Sequence, residues 1–174
     1  MLVASILVIF PFCMVFAAVS DLVSMTIANR VSILLVASFA VIAPLTGMDW
    51  STFGMHLAAG AAVLAVTFAL FALGGMGGGD AKLLASTAVW MGFGPILLEY
   101  LVYGSLIGGA LTLGILMYRK SPVSWLTGHY LLLRNFANPR EGIPYGIALG
   151  IAGLLVFPRT ELAQWAIAGL AKPF

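Results

Sequence analysis

Charge is what this chain has least of. Only 8% of its 174 residues are charged, eight Lys or Arg and six Asp or Glu. A soluble globular domain carries about 25%. With 62% hydrophobic residues and a mean hydropathy of +1.11, the chain reads as an integral membrane protein. There is no room for a second sizeable soluble domain. Cysteine is nearly absent. The single Cys13 excludes an intramolecular disulfide framework and any paired-cysteine zinc site, and in its apolar run it reads as a small helix residue. Histidine is scarce too. His56 and His129 fall on opposite sides in the topology below and form no metal pair. No Lys or Arg precedes Arg30, so the first apolar run lacks the basic start of a secretory signal and reads as a retained helix. A net charge of +2 does not indicate nucleic acid; it fits basic cytoplasmic loops.

Long apolar runs are what the chain has instead. Residues 1–20 contain no charged side chain and are long enough to cross a hydrocarbon core of ~30 Å. Further runs lie at about 31–46, 55–73, 83–93, 95–118 and 143–157. They predict an all-α, polytopic membrane bundle of about six transmembrane helices in a single domain over residues 1–174. The run at 83–93 is short for a crossing, and part of the Asp80 segment is expected to extend it. The last apolar piece, 161–171, is about half a span and is expected to lie at the interface or pack back on the bundle. Arg30, Lys82, Arg119, Lys120, Arg134 and Arg140 fall in alternate loops, with Asp49 and Arg159 on the other side. The positive-inside rule makes the six basic residues cytoplasmic and the N-terminus external. Residues 47–51 form a tight outer turn with an interfacial Trp50. Residues 118–142 mix Arg and Lys with Trp125, Tyr130 and Leu131 to Leu133. That mixture suits an amphipathic segment on an anionic leaflet, so membrane lipids are expected partners.

Two acids then stand out. Asp21 closes the first helix and Asp80 follows the third, so both fall at cytoplasmic helix ends. They are far apart in sequence, and only tertiary structure can join them. Two adjacent carboxylates cannot both ionise cheaply; they share a proton and titrate as a unit. The ionised member draws a proton from water while the protonated member donates to the carbonyl under attack. This is the logic of aspartic proteolysis, and it needs no metal, cofactor or other nucleophile. Gly77, Gly78 and Gly79 immediately precede Asp80. They are expected to form an active-site loop that lets a peptide approach closely and bends as other residues resist. The competing reading is structural. Asp80 then only caps a helix by accepting from the amides of residues 82 and 83, and Asp21 is an interfacial acid. A phosphate loop does not match, because Lys82 follows Asp80 rather than Gly. Glu99, inside the fifth span, is given no catalytic role.

The stretch Gly77-Gly78-Gly79-Asp80, with Asp21 ahead of Ile27-Ala28-Asn29, resembles the type IV prepilin peptidases, polytopic aspartic proteases of the bacterial inner membrane. The family's Ile-Pro-Asn carries Ala here in place of Pro. Pro144, Gly146 and Ala148 resemble the family's late Pro-x-Gly-x-Ala segment. The resemblance implies that Asp21 and Asp80 are catalytic, with Asn29, Lys82, Pro144 and Gly146 in supporting positions. It implies a prepilin substrate cut after a Gly where its basic leader meets its membrane helix, at the cytoplasmic face. One Cys and a short first connection are similar to the peptidase-only branch. That branch processes Flp-type pilins for tight-adherence pili, without methyltransferase activity, and its pilus-assembly proteins would be partners. Two readings from other classes stand beside it. One is a small transporter or channel subunit using Asp21 and Asp80 as a proton relay; the other is a non-catalytic assembly subunit.

Overall fold

Every regular element is helical among the residues that the computed structural model describes, namely 1–127, 130, 135–138 and 141–171. In chain order these are α1 (Leu2–Ser24), α2 (Asn29–Leu45), α3 (Trp50–Ala72), α4 (Gly78–Met91), α5 (Pro95–Lys120), α6 (Pro122–Thr127), α7 (Tyr145–Val156) and α8 (Glu161–Leu170). A 3-10 turn, Phe157–Arg159, joins the last two. The protein is a multi-pass membrane protein. Helices α1, α3 and α5 are each long and apolar enough to cross a bilayer, and α7 with α8 makes a fourth if the pair, bent by 54°, counts as one span. Helix α2, at 17 residues, is slightly shorter. The expected half-span at 161–171 becomes α8, which packs back on α1 through buried Leu162, Ala163 and Ala166.

Helix α4 has only 14 residues, a length of about 21 Å. Residues Leu83 to Met91 are all buried, and an apolar helix buried on every face belongs inside a bundle. Its neighbours α2, α3, α5 and α7 surround it, which explains why it is shorter than the lipid-facing helices. As expected, the segment bearing Asp80 extends it backwards. At its far end Trp90 donates its indole N–H to the Leu35 carbonyl at 2.9 Å. Phe10 lies 5.2 Å from the Trp90 ring and stacks on Phe157 at 4.6 Å. These fully or almost fully buried rings fill the core among α1, α2 and α4.

Absent side chains set the closest helix contacts. A Cβ at Gly150 would lie 2.8 Å from the Met14 carbonyl oxygen, and one at Gly153 would lie 2.8 Å from the Met14 sulfur. Gly146, Gly150 and Gly153 are spaced i, i+4, i+7, so one bare face of α7 lies against α1. This close seating aligns the start of α7 with the end of α1, where Asp21 stands.

The first connection is shorter than the sequence reading implies. Helix α1 runs past Asp21 to Ser24 and α2 begins at Asn29, leaving four residues between them. Met25 turns the chain with φ 53, the one non-glycine residue with positive φ among the described residues. Ser20 donates its hydroxyl to the Thr26 carbonyl at 2.8 Å and pins the link to α1. Asp49 accepts from the Ser51 and Thr52 amides, both at 3.0 Å, and caps α3. Trp50 is exposed, as an interfacial residue would be. His129, Leu131 to Leu133, Arg134 and Arg140, which belong to the expected amphipathic segment, lie outside the described residues. Arg119 donates to the carbonyls of Phe136, Glu141 and Gly142, fastening the end of this connection to α5.

Candidate active site

Asp21 lies one turn before the end of α1 and is only 5% exposed. Its Oδ2 accepts the backbone N–H of Gly146 at 2.7 Å. Gly146 is the second residue of α7, where backbone N–H groups have no partner within the helix. A carboxylate from a different helix therefore satisfies the start of α7, on the side favoured by the helix dipole. Pro144 stands at the N-cap, where its ring prevents the helix from beginning earlier. Two of the expected supporting residues thus meet Asp21, one directly and one by setting the helix start.

Asp80 is the third residue of α4 and is half-buried. The structure corrects the expected glycine loop. Gly77 is the N-cap with extended backbone (φ −70, ψ 140), and Gly78 and Gly79 are already helical. The left-handed conformation falls earlier, at Gly74 (φ 76), where the chain leaves α3. The value of these glycines is therefore space rather than unusual backbone angles. A Cβ at Gly77 would stand 2.8 Å from Asp80 Oδ2, and one at Gly78 would stand 3.2 Å from the Phe71 ring. The N-cap of α4 is Gly77 and Asp80 lies inside the first turn, so Asp80 does not hold the cap position weighed for it. Asp21, bonded to Gly146, and Asp80, next to Gly79, are brought together around Ile27, which packs against both glycines. Two carboxylates from different helices, one largely enclosed, share one end of the bundle.

Lys82 and Asn29 are joined to each other. Lys82 Nζ donates to Asn29 Oδ1 at 3.0 Å, tying α4 to α2. Two residues along a helix is a rotation of about 200°, so Lys82 leaves α4 on roughly the opposite face from Asp80. Both Lys82 and Asn29 line an apolar groove of about 680 Å³ between α2, α3 and α4. Glu99 is likewise placed: it pairs with Arg159 at 2.5 Å, away from Asp21 and Asp80 in the fold. His56 hydrogen-bonds the Val89 carbonyl through Nδ1 at 2.8 Å and lies 3.6 Å from Glu161. No group of three or more metal-ligating side chains occurs among the described residues.

One residue at this site was not anticipated as a site residue. Ile27, in the α1–α2 link, reaches both Gly79 and Gly146. The sequence placed it only within a motif beside Asp21; nothing local showed which way its side chain would point.

The sequence profile of the type IV leader peptidase family matches residues 8–113, a segment that contains both acids and the glycines between them. The chain belongs to the type IV leader peptidase family and is a membrane-embedded peptidase of that kind. No curated protein and no solved structure matches it.

Proposed function

We propose that this chain is an aspartic endopeptidase of the bacterial inner membrane. In this reading it removes the short leader of Flp-type prepilins at the cytoplasmic face, using Asp21 and Asp80 as the catalytic pair. The observation that carries the proposal is the convergence of the two acids at one end of the bundle, where Ile27 packs against both Gly79, beside Asp80, and Gly146, whose N–H fixes Asp21 at 2.7 Å. Family membership supplies the substrate class, a prepilin. The positive-inside rule supplies the orientation, since Arg30, Lys82, Arg119 and Lys120 lie at the same end as the pair.

The chemistry follows from one proton shared by two carboxylates. A water held between them gives a proton to the ionised member as its oxygen attacks the scissile carbonyl carbon. The protonated member gives its proton to the carbonyl oxygen, producing a neutral tetrahedral diol. Collapse returns that hydroxyl proton to one carboxylate, breaks the C–N bond and delivers a proton to the departing amine. Atoms and charge balance without a metal, a cofactor or a covalent enzyme intermediate. Gly79 and Gly146 lack a Cβ where Ile27 and Asp21 pack against them, and this lets α1, α4 and α7 seat closely at the pair.

Asp80→Asn tests the assignment. The amide keeps the shape and loses the exchangeable proton. Cleavage of a Flp-type prepilin co-reconstituted in proteoliposomes is expected to fall below detection, with thermal melting unchanged. Full processing by this variant would remove the chemistry and leave a proton-relay transporter as the leading idea.

A further inference from the structure

The groove between α2, α3 and α4 is a feature that the catalytic reading does not use. Helices α2 and α3 make little contact with each other, and each packs on α4. The gap between them is therefore floored by α4 and open to the side. Gly60 seats α3 close on that floor, since a Cβ there would stand 3.2 Å from the Ala85 carbonyl oxygen. Ile33, Val36, Leu57 and Leu64 form the walls and are exposed rather than covered by other helices. The volume of about 680 Å³ falls in the usual range of ligand sites, about 300–1,000 Å³.

Length and charge identify the occupant. The α2 residues that line the groove run from Asn29 to Ala40, about 16 Å along the helix. The hydrocarbon core of a bilayer is about 30 Å thick, so one leaflet supplies about 15 Å. Beyond that depth the gap is shut, where Phe39 of α2 stacks on Phe53 of α3 at 5.8 Å. A membrane-crossing helix of a partner would need the full thickness, whereas an acyl chain needs only half. The polar lining is Asn29, Ser32 and Lys82 at the mouth and Ser86 on the floor, with no carboxylate. Lys82 is exposed and makes no ion pair among the described residues. Its ammonium donates to Asn29 Oδ1 at 3.0 Å, which holds the charge at the mouth and leaves further N–H donors for a ligand. Arg30 puts a second basic residue at this depth. Because Lys82 leaves α4 on roughly the opposite face from Asp80, a molecule seated here lies away from the carboxylate pair.

We propose that this groove holds one acyl chain of an anionic phospholipid from the leaflet on the Asp21 and Asp80 side, with the lipid phosphate at Lys82 and Asn29. The lipid is a resident of this seat and differs from the exchanging lipids around the other helices. It fills the space between α2 and α3 where these helices lack contact of their own. The site goes beyond the peptidase reading and does not depend on it.

The test is native mass spectrometry of the full-length protein released from nanodiscs. The nanodiscs contain equal parts phosphatidylglycerol and phosphatidylethanolamine with identical acyl chains. Both lipids carry a phosphate, but phosphatidylethanolamine also carries its own ammonium, which competes with Lys82. The wild type is expected to retain one phosphatidylglycerol, preferred by about fivefold or more, the worth of one Lys beside an anionic headgroup. Lys82→Gln is expected to lose about fivefold of that preference. Lys120→Gln, the same charge change at another exposed position on that side, is expected to keep it. Ala37→Phe places a ring in the groove and is expected to abolish retention of either lipid with melting preserved. Lys82 is exposed, so Lys82→Gln gives a folded protein to measure even if Ala37→Phe does not. Equal retention of the two lipids by the wild type overturns the proposal. An unchanged preference in Lys82→Gln overturns it too, as does a loss in Lys120→Gln of the same size, which would mean general attraction to the surface. A folded Ala37→Phe variant that keeps its lipid but no longer cuts a reconstituted prepilin also overturns it, because the groove would then seat the substrate's helix.

Discussion

Gly146→Ala adds one methyl group at the point where α7 meets Asp21. Its Cβ would stand 2.8 Å from Ile27 Cδ1, and 2.9 Å from both the Cβ and the Oδ2 of Asp21. Normal contact requires about 3.5 Å, so these atoms must separate by roughly 0.6–0.7 Å. The Ile27 methyl can yield by rotation, but the Asp21 carboxylate is fixed at 2.7 Å to the same residue's N–H and must tilt or lose that bond. A misplacement of about 1 Å at reacting groups costs about 100-fold. The expected fall in kcat/KM is therefore roughly 10- to 100-fold, equivalent to about 1.4–2.7 kcal/mol. The net effect on stability should be a loss of between about 0 and 2.5 kcal/mol. Crowding costs about 1–3 kcal/mol, while Ala in place of Gly within a helix returns about 0.5–1 kcal/mol. Steady-state cleavage of a reconstituted prepilin, with differential scanning fluorimetry in detergent, separates the two effects. Gly109→Ala is the control, because a Cβ there meets nothing within 4 Å; it should leave cleavage unchanged and raise stability by about 0.5–1 kcal/mol. Activity of Gly146→Ala within threefold of wild type would refute the idea that this backbone contact positions Asp21.

Asp21→Asn and Asp80→Asn are each expected to abolish cleavage, and the double variant to be no worse, because removing either member disables the unit; single-turnover assays on all three check this. Lys82→Ala is expected to be mild, since its ammonium is bonded to Asn29 on roughly the opposite face of α4, and a loss of more than tenfold would assign it to the reaction. Thr160→Ala should destabilise by about 0.5–2 kcal/mol without altering kcat, because its buried hydroxyl caps α8 through the Ala163 amide at 3.3 Å; thermal melting reads it. A cysteine at position 49, placed in a Cys13→Ser background, should label from the outside of intact cells, and labelling only from the cytoplasmic side would reverse the proposed orientation.

Some of this molecule was written in its composition. Apolar runs specify membrane helices because a backbone in lipid must satisfy its own hydrogen bonds, and that is a local property. Hydropathy therefore found α1, α2, α3 and α5 within a few residues. It also anticipated that the Asp80 segment would lengthen α4 and that residues 161–171 would fall short of a span. Basic residues gathered in alternate loops put Asp21 and Asp80 on the same side before any packing was known. The glycines beside Asp80 were visible, but their conformation was not. The turn falls at Gly74 (φ 76) while Gly78 and Gly79 enter the helix, a choice made by how the chain leaves α3. Other features had no local signal at all. The Gly146 N–H reaches Asp21 across 125 residues, Glu99 finds Arg159, and Ile27 turns inward against Gly79 and Gly146. Each depends on how closely two helices seat, which Gly150 and Gly153 set against Met14 by lacking a carbon that would overlap it. Sequence fixes which surfaces are bare, but an interhelical distance of a few tenths of an ångström exists only once both surfaces have met.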